Sequence, residues 1–379
     1  MNSNPVETKS LNKHRLHAIC PYFAMFPETF ARESILSFTQ PGDLVFDPFS
    51  GRGTTVLEAL LNDRDALGCD INPVAAVISQ AKADSPKLQV VTQRVNDLEN
   101  QYLRYDHASL ARESAQLPEF YSVAFSKTTL QQVLFLRKQL MAQDSRCDRF
   151  ICALTLGQLH GESLRSSNFF SNQMPHTIAV KPDYAIRYWA FHKLSPPDRN
   201  VFEILRSKAL FRLENGTPSR KGTVVRTDAR KAMRHFWKHR GQVAAVVTSP
   251  PYLDTTNYEE DQWLRLWFLG GKPFPTYSAI SNDDRHTSST KYFDFLADVW
   301  QGIEPLLSAE AHIVCRIGAK ALSEEQITKL LMISVRKAWP KAMLFNKPEV
   351  SALKNRQTDI FRPGSVGCVN EIDYQIKTT

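Results

Sequence analysis

Two short apolar runs, each closed by an aspartate, constrain this chain more than any other feature. Asp43-Leu44-Val45-Phe46 reads as a strand leading to Asp47, and Ala66-Leu67-Gly68-Cys69 as a second strand ending at Asp70. Between them Gly51 and Gly53 make a turn into a helix that begins near Thr54, and Asn72-Pro73 opens another helix reaching about Ala83. Proline is tolerated in a first helical turn, where its missing N–H has no partner to lose. A β-α-β-α alternation predicts a doubly wound parallel sheet with helices on its faces.

The pattern breaks after Asp84-Ser85-Pro86. Over residues 88–213 apolar side chains recur at helical spacing, as in Leu130, Val133, Leu134, Leu136 and Leu140, and again in Phe150, Ile151, Leu154, Leu156 and Leu159. A polar, aromatic-rich loop over 166–182 interrupts these helices. The α/β pattern resumes with a strand over 223–226, a helix over 229–238 and a strand over 243–248. Further helices are expected over 260–268, 292–307 and 323–337, a strand over 311–317, and a late edge strand over 371–376. The expected organisation is an α/β domain in two parts, 1–86 and 216–379, carrying a mainly helical insertion at 87–215.

The strand over 243–248 runs into Ser249-Pro250-Pro251-Tyr252. Proline fixes its own φ and pushes the preceding residue out of the helical region, so Ser249 and Pro250 are held extended. The result is a stiff arm carrying a hydroxyl, exposed carbonyls and an aromatic ring beyond a strand end, where open α/β sheets bind ligands. Such an arm suits an enzyme that grips a planar amine.

The first strand leads into Asp47-Pro48-Phe49-Ser50-Gly51-Arg52-Gly53-Thr54-Thr55. Glycines let the backbone approach a ligand, and the following helix N-terminus offers free N–H donors. The dinucleotide fingerprint wants a third glycine where Val56 stands. A carboxylate before the glycines would repel pyrophosphate but suits ammonium and hydroxyl groups. Asp70 sits where ribose hydroxyls are gripped, and it also suits the role of a helix cap. Asp228, at a third strand end, serves equally as a helix cap or as an acceptor from an adenine amino group. Three carboxylates at three strand ends without a phosphate cradle point to a nucleoside with a charged amino-acid arm, S-adenosylmethionine.

Together, the Asp47–Thr55 segment, Asp70 and Thr248-Ser249-Pro250-Pro251-Tyr252 resemble the DNA amino-methyltransferases, which modify cytosine N4 or adenine N6. The resemblance extends to His17-Ala18-Ile19-Cys20-Pro21-Tyr22-Phe23-Ala24-Met25-Phe26-Pro27, similar to that family's cofactor-embracing segment, but adds little over 88–213. It implies a Rossmann-like S-adenosylmethionine-dependent methyltransferase sheet. It further implies Ser249, Pro250, Pro251 and Tyr252 as the catalytic arm, and Asp47, Phe49, Gly51, Gly53, Thr54, Asp70 and Asp228 around the cofactor. Ser249 and the Pro250 carbonyl would accept hydrogen bonds from the target amine, and Tyr252 would stack on a base taken out of the duplex. Serine at the head of the arm leans towards cytosine N4, with adenine N6 and an RNA base left open, as is a catalytically idle nucleic-acid-binding relative. No cysteine follows a proline, which disfavours methylation of a cytosine ring carbon. In the family the first three cofactor segments usually stay together; here the insertion separates Asp70 from Asp228.

Bulk properties agree with such a protein without requiring it. The 379 residues are 42% hydrophobic and carry a net charge of +8, which permits a polyanionic partner such as double-stranded DNA. Arg220, Lys221, Arg226, Arg230, Lys231, Arg234, Lys238 and Arg240 cluster, and Lys181, Arg187, Lys193 and Arg199 interleave with Tyr184, Tyr188, Trp189 and Phe191. That mixture marks a nucleic-acid groove or a set of solvated helix faces. The six cysteines show no paired spacing, and His160 and His176 lack partners at metal spacing, so no metal is expected. With no secretion signal and no long apolar stretch, the expectation is a cytoplasmic protein without a membrane partner. A cognate restriction endonuclease or phage-defence proteins are the expected protein partners.

Overall fold

The computed structural model describes residues 13–22, 26–142, 145–253, 258–276, 288–318, 322–352 and 370–379. Its strands are β1 (Leu44–Asp47), β2 (Asp65–Asp70), β3 (Thr223–Arg226), β4 (Val243–Thr248), β5 (Leu307–Gly318), β6 (Met343–Leu344), β7 (Glu349–Ala352) and β8 (Asn370–Lys377). They form one eight-stranded sheet in the order β3-β2-β1-β4-β5-β8-β6, with β7 also on β8. Neighbours among β1 to β5 are parallel, and β8 runs antiparallel to β5, β6 and β7. This is the Rossmann-like sheet the sequence predicts. Strand order reverses between β1 and β4, which opens a crevice at their carboxyl ends.

Local sequence explains the first half of this sheet. In β4 nearly every residue of Val-Ala-Ala-Val-Val-Thr is buried, as expected of a parallel strand covered on both faces. Three helices follow the N-terminal segment: α1 (Glu28–Phe38), α2 (Thr54–Leu61) and α3 (Pro73–Ala83). The Asn72 side chain accepts a hydrogen bond from Val74 N at 2.9 Å and so caps α3 ahead of Pro73.

The insertion holds α4 (Leu88–Leu103), α5 (His107–Gln116), α6 (Glu119–Ala124), α7 (Lys127–Leu140), α8 (Arg146–Gln158), α9 (Pro182–Phe191) and α10 (Val201–Leu213). Its two ends meet where Gly222 N donates to Ala83 O at 2.8 Å and Lys221 pairs with Asp84 at 3.1 Å. Gly222 is required there, because a Cβ would stand 2.9 Å from Ala66 O. The helices pack onto the sheet domain. Val91, Leu98, Phe135 and Ile151 share a core with Val74 and Ile78 of α3 and with Leu16 and Ile19 of the N-terminal segment.

The remaining helices are α11 (Met233–Phe236), α12 (Tyr258–Asp261), α13 (Trp263–Phe268), α14 (Ser289–Ile303) and α15 (Glu324–Arg336). Trp263 and Trp267 of α13 join the insertion core, while α14 and α15 cover β5 and β8. No helix among the described residues is long and apolar enough to cross a membrane.

Three expectations need correction. The strand over 371–376 is no edge strand, since β8 lies inside the sheet between β5 and β6. Period-two alternation reports which face is buried and says nothing about neighbours on either side. The helix over 229–238 breaks into two 3-10 turns flanking α11, as the polar run Arg234-His235 and Lys238-His239 offers little apolar surface to hold a regular helix. The helix over 260–268 is interrupted at Gln262, whose side chain is drawn into the interior to donate to Thr177 O and accept from Arg265.

Candidate active site

A cavity of about 840 Å³ opens at the carboxyl ends of β1, β2, β3 and β4. Phe49, Gly51, Thr54, Asp70, Asp228, Ser249, Pro250, Pro251 and Tyr252 line it. Its size falls in the usual range for small-molecule sites. Asp47 and Gly53 do not line it; they belong to the same Asp47–Thr54 turn as Pro48, Phe49, Ser50, Gly51, Arg52 and Thr54, which do.

Asp47 is completely buried. Its Oδ1 accepts from Thr248 Oγ1 at 2.6 Å and from Phe49 N at 3.1 Å, tying the turn to the base of the arm. Its Oδ2 has no hydrogen-bond partner; the neighbouring Thr55 hydroxyl donates instead to Val247 O at 3.0 Å. Burial pushes the carboxyl up to about 7, against the hydrogen bonds that favour the ion. A buried carboxylate oxygen without a close partner has room for a further donor. A bound ammonium would supply one.

Gly51 and Gly53 both adopt positive φ, +49° and +74°. Gly53 precedes α2 without any side-chain cap, which leaves the first N–H groups of that helix free. Asp70 closes the other side: its Oδ2 accepts from Gly51 N and its Oδ1 from Asn72 N, both at 2.8 Å. Burial raises its pKa to about 6. Each oxygen keeps a lone pair for a further donor.

Asp228 stands at the tip of β3, next to the tip of β2, so the insertion does not separate the third carboxylate from the other two in space. Both its oxygens are engaged by the Arg230 guanidinium, with the shortest contact 2.6 Å. The helix-cap role is present as well, through Arg230 N at 3.0 Å.

The arm leaves β4 at Thr248 and turns its ring back towards β8. The Tyr252 hydroxyl donates to Glu371 Oε1 at 2.8 Å, and the Ser249 side chain interacts with the same hydroxyl. Sequence reasoning missed Glu371, and no local signal could have found it 119 residues away. Tyr22 and Phe26, from the N-terminal segment expected to embrace the cofactor, also line the cavity, and the Tyr22 hydroxyl accepts from Asn72 Nδ2 at 3.2 Å. Residues 23–25 of that segment lie outside the described residues, as do Asp254 and Asn257 beyond the arm, whose sequence suits either base contact or loop and helix-cap duty.

A buried polar frame supports the N-terminal segment. The fully buried Lys82 ammonium donates to Arg52 O at 2.6 Å and His17 O at 3.3 Å, and burial holds its pKa well below the usual lysine range. His17 Nε2 lies 2.6 Å from Glu58 Oε1. Burial lowers the imidazole pKa and raises that of Glu58 to about 7, both shifts disfavouring the charged forms of the pair.

The basic clusters divide. Arg220 pairs with Asp65, Lys221 with Asp84 and Arg230 with Asp228, whereas Arg226, Lys231, Arg234, Lys238 and Arg240 remain exposed. In α9 Trp189 is a core residue bonded to Gln173 O, while Tyr184, Tyr188 and Phe191 face solvent. The 166–182 loop is structural over its middle, with Phe170 buried and Asn172 Nδ2 donating to Val123 O and Leu194 O. His160 is buried with its Nδ1 2.8 Å from Pro175 O, a position within that same frame.

Residues 3–81, which carry the glycine turn and Asp70, match the DNA methylase family. This segment is similar to that of the DNA amino-methyltransferases. The chain is 51% identical over 49 residues to the orphan methyltransferase M.BamHII of Bacillus amyloliquefaciens, covering 13% of this chain and 18% of that one. It is 27% identical over 284 residues to the type II methyltransferase M.MvaI of Kocuria varians, covering 70% of this chain and 58% of that one. The matches thus span less than two thirds of either relative. Among solved structures, the rRNA methyltransferase aviRa of Streptomyces viridochromogenes aligns over 98% of this chain and 94% of its own, at 11% identity and a TM-score of 0.35. That likeness is too loose to bear on the chemistry. The DNA methylase match supports S-adenosylmethionine as the cofactor.

Proposed function

We propose that this protein is an S-adenosylmethionine-dependent DNA methyltransferase acting on an exocyclic amino group, with cytosine N4 the favoured target. The observation that carries the reading is one cavity shared by two kinds of group: Asp70 and the glycine turn on one wall, and the Ser249–Tyr252 arm on the other. The unpartnered Asp47 Oδ2 of that turn fits the cofactor's ammonium, and Asp70 fits its ribose hydroxyls. Bound there, the cofactor supplies an electrophilic methyl group.

The protein's own contribution is positioning and hydrogen bonding. An amine conjugated to a heteroaromatic ring is a poor nucleophile because its lone pair is delocalised. The Pro250 carbonyl and the Ser249 oxygen accept its two N–H bonds and return electron density to nitrogen. Ser249 does this while donating its own proton to Tyr252, so its lone pairs stay free for the amine. A recessed cavity excludes a base still stacked in a duplex, so the target is flipped out and rests on the Tyr252 ring. The exposed cations after β3 meet phosphates, giving salt-sensitive DNA binding. A role in restriction-modification or phage defence, alongside a cognate endonuclease, is compatible with such an activity.

The direct test is single-molecule sequencing of DNA from cells expressing the protein, which reports base, position and sequence context together. N4-methylcytosine at a fixed sequence is the expected result. N6-methyladenine would reassign the base, and unmodified DNA from an expressed, cofactor-binding protein would overturn the reading.

Cofactor binding gives two further expectations. Asp70→Ala removes a charged acceptor for the ribose and is expected to weaken affinity by about 10- to 100-fold, from about 1.5–3 kcal/mol for one charged hydrogen bond. Unchanged affinity in calorimetry would refute the ribose assignment. Asp47 must be ionised to hold an ammonium, and its pKa in the free protein is about 7. Affinity should therefore rise with pH through neutrality, by about tenfold between roughly pH 6 and pH 8 for one such group. Asp47→Asn should flatten that dependence; a slope surviving the substitution would place the titrating group elsewhere.

A further inference from the structure

The arm is the front of a polar chain that runs away from the cavity into the sheet. The Ser249 side chain interacts with the Tyr252 hydroxyl, and Tyr252 donates to Glu371 Oε1 at 2.8 Å. Glu371 Oε2 accepts from Arg316 Nη1 at 3.3 Å, and Arg316 makes a two-pronged contact with Asp373 at 2.6 and 2.7 Å. Arg316 also lies over the Phe30 ring of α1, 4.1 Å from its centroid. Glu371 is buried, at 9% exposure. The groups facing it are Tyr252 from the arm, Arg316 from β5 and Asp373 from its own strand; across the ladder Ser351 of β7 stands opposite Glu371, and the exposed Glu349 opposite Asp373.

With the Tyr252 proton committed to Glu371, the Ser249 hydroxyl can meet the Tyr252 oxygen only as a donor. We propose that Glu371 is a positioning residue for the arm and the terminal acceptor of the proton that the target amine must lose. The inference rests on the amino-methyltransferase reading above. As the amine's lone pair forms the N–C bond, the methyl–sulfur bond breaks and its pair stays on sulfur. The nitrogen becomes cationic and strongly acidic. One N–H proton passes to the Ser249 oxygen, the Ser249 proton to the Tyr252 oxygen, and the Tyr252 proton to Glu371 Oε1. Each hydroxyl ends neutral, the carboxylate ends protonated, and the proton later leaves for solvent. Burial and Asp373 hold the Glu371 carboxyl above the usual carboxylate range, while Arg316 and Tyr252 oppose them, which makes it a better proton acceptor than an exposed glutamate.

A tether and a relay make different predictions for Glu371→Gln. The amide oxygen still accepts the Tyr252 hydrogen bond, so a tether survives, but an amide takes no proton. The relay predicts a fall of about tenfold or more in single-turnover methyl transfer, with DNA and cofactor affinities unchanged. The acid limb of the kcat–pH profile at saturating cofactor, where activity falls as Glu371 protonates, should disappear. Tyr252→Phe keeps the ring and interrupts the chain at its middle, so it should lose as much, and the double variant should lose no more than either single one. Without cofactor, infrared difference spectra across the same pH range should show a carboxyl band that is absent in Glu371→Gln and displaced in Tyr252→Phe. Wild-type transfer rates in Glu371→Gln, or additive losses in the double variant, would overturn the relay while leaving the methyltransferase reading intact. A wild-type protein that methylates no DNA would remove both.

Discussion

Ser249→Ala is expected to lower the rate of methyl transfer to DNA by about 10²- to 10³-fold, equivalent to about 2.7–4 kcal/mol for one preorganised hydrogen-bonding group in a water-excluded site. Ser249 lines the cavity and stands between the target amine and Tyr252, so alanine removes both the acceptor for the amine and the donor to the phenol. Ser249 sits on the opposite wall from Asp70 and does not touch Asp47, whose Oδ1 is held by Thr248 and Phe49. Cofactor affinity should therefore stay near the wild-type value. Single-turnover assays with labelled cofactor, alongside calorimetry, separate the two effects. Transfer at close to the wild-type rate would exclude Ser249 from the chemistry, and a parallel loss of cofactor affinity would mean that the arm collapsed.

A large effect on folding is expected at Gly53. Its φ of +74° is unfavourable for any residue with a Cβ, and a Cβ there would stand 2.9 Å from Ser79 Oγ and 3.0 Å from Ser79 Cα on α3. Left-handed backbone costs about 1–2 kcal/mol, and overpacking against a neighbouring helix adds about 1–3 kcal/mol. Gly53→Ala should thus destabilise by about 2–5 kcal/mol. Gly216 is an internal control: its φ is +80°, but nothing lies within 4 Å of where a Cβ would stand. Gly216→Ala should show the backbone cost alone. Denaturant midpoints for the two variants measure the difference, and equal losses would show that Ser79 gives way freely.

Much of the fold could be read locally. Strand, glycine turn, helix and capped helix between Asp43 and Ala83 follow from short-range patterns, and the sheet places their ends as those patterns require. The candidate site was legible for the same reason: Gly51, Gly53 and the Ser249–Tyr252 arm depend on backbone restrictions acting within a few residues. Helical spacing over the insertion was equally local and reported helices correctly. It could not report that their core is continuous with α3 and α13.

The amino-acid sequence by itself determined the βα units, the stiff arm, the glycine turn and the helical character of the insertion, because each arises from neighbours along the chain. Only the tertiary structure decided that β3 lies beside β2, so that Asp228 joins Asp70 across the insertion. It alone placed β8 inside the sheet, with Glu371 behind Tyr252 and Arg316 behind Glu371. Those contacts join residues far apart in the chain, and their register is set by closing the whole sheet and burying its faces.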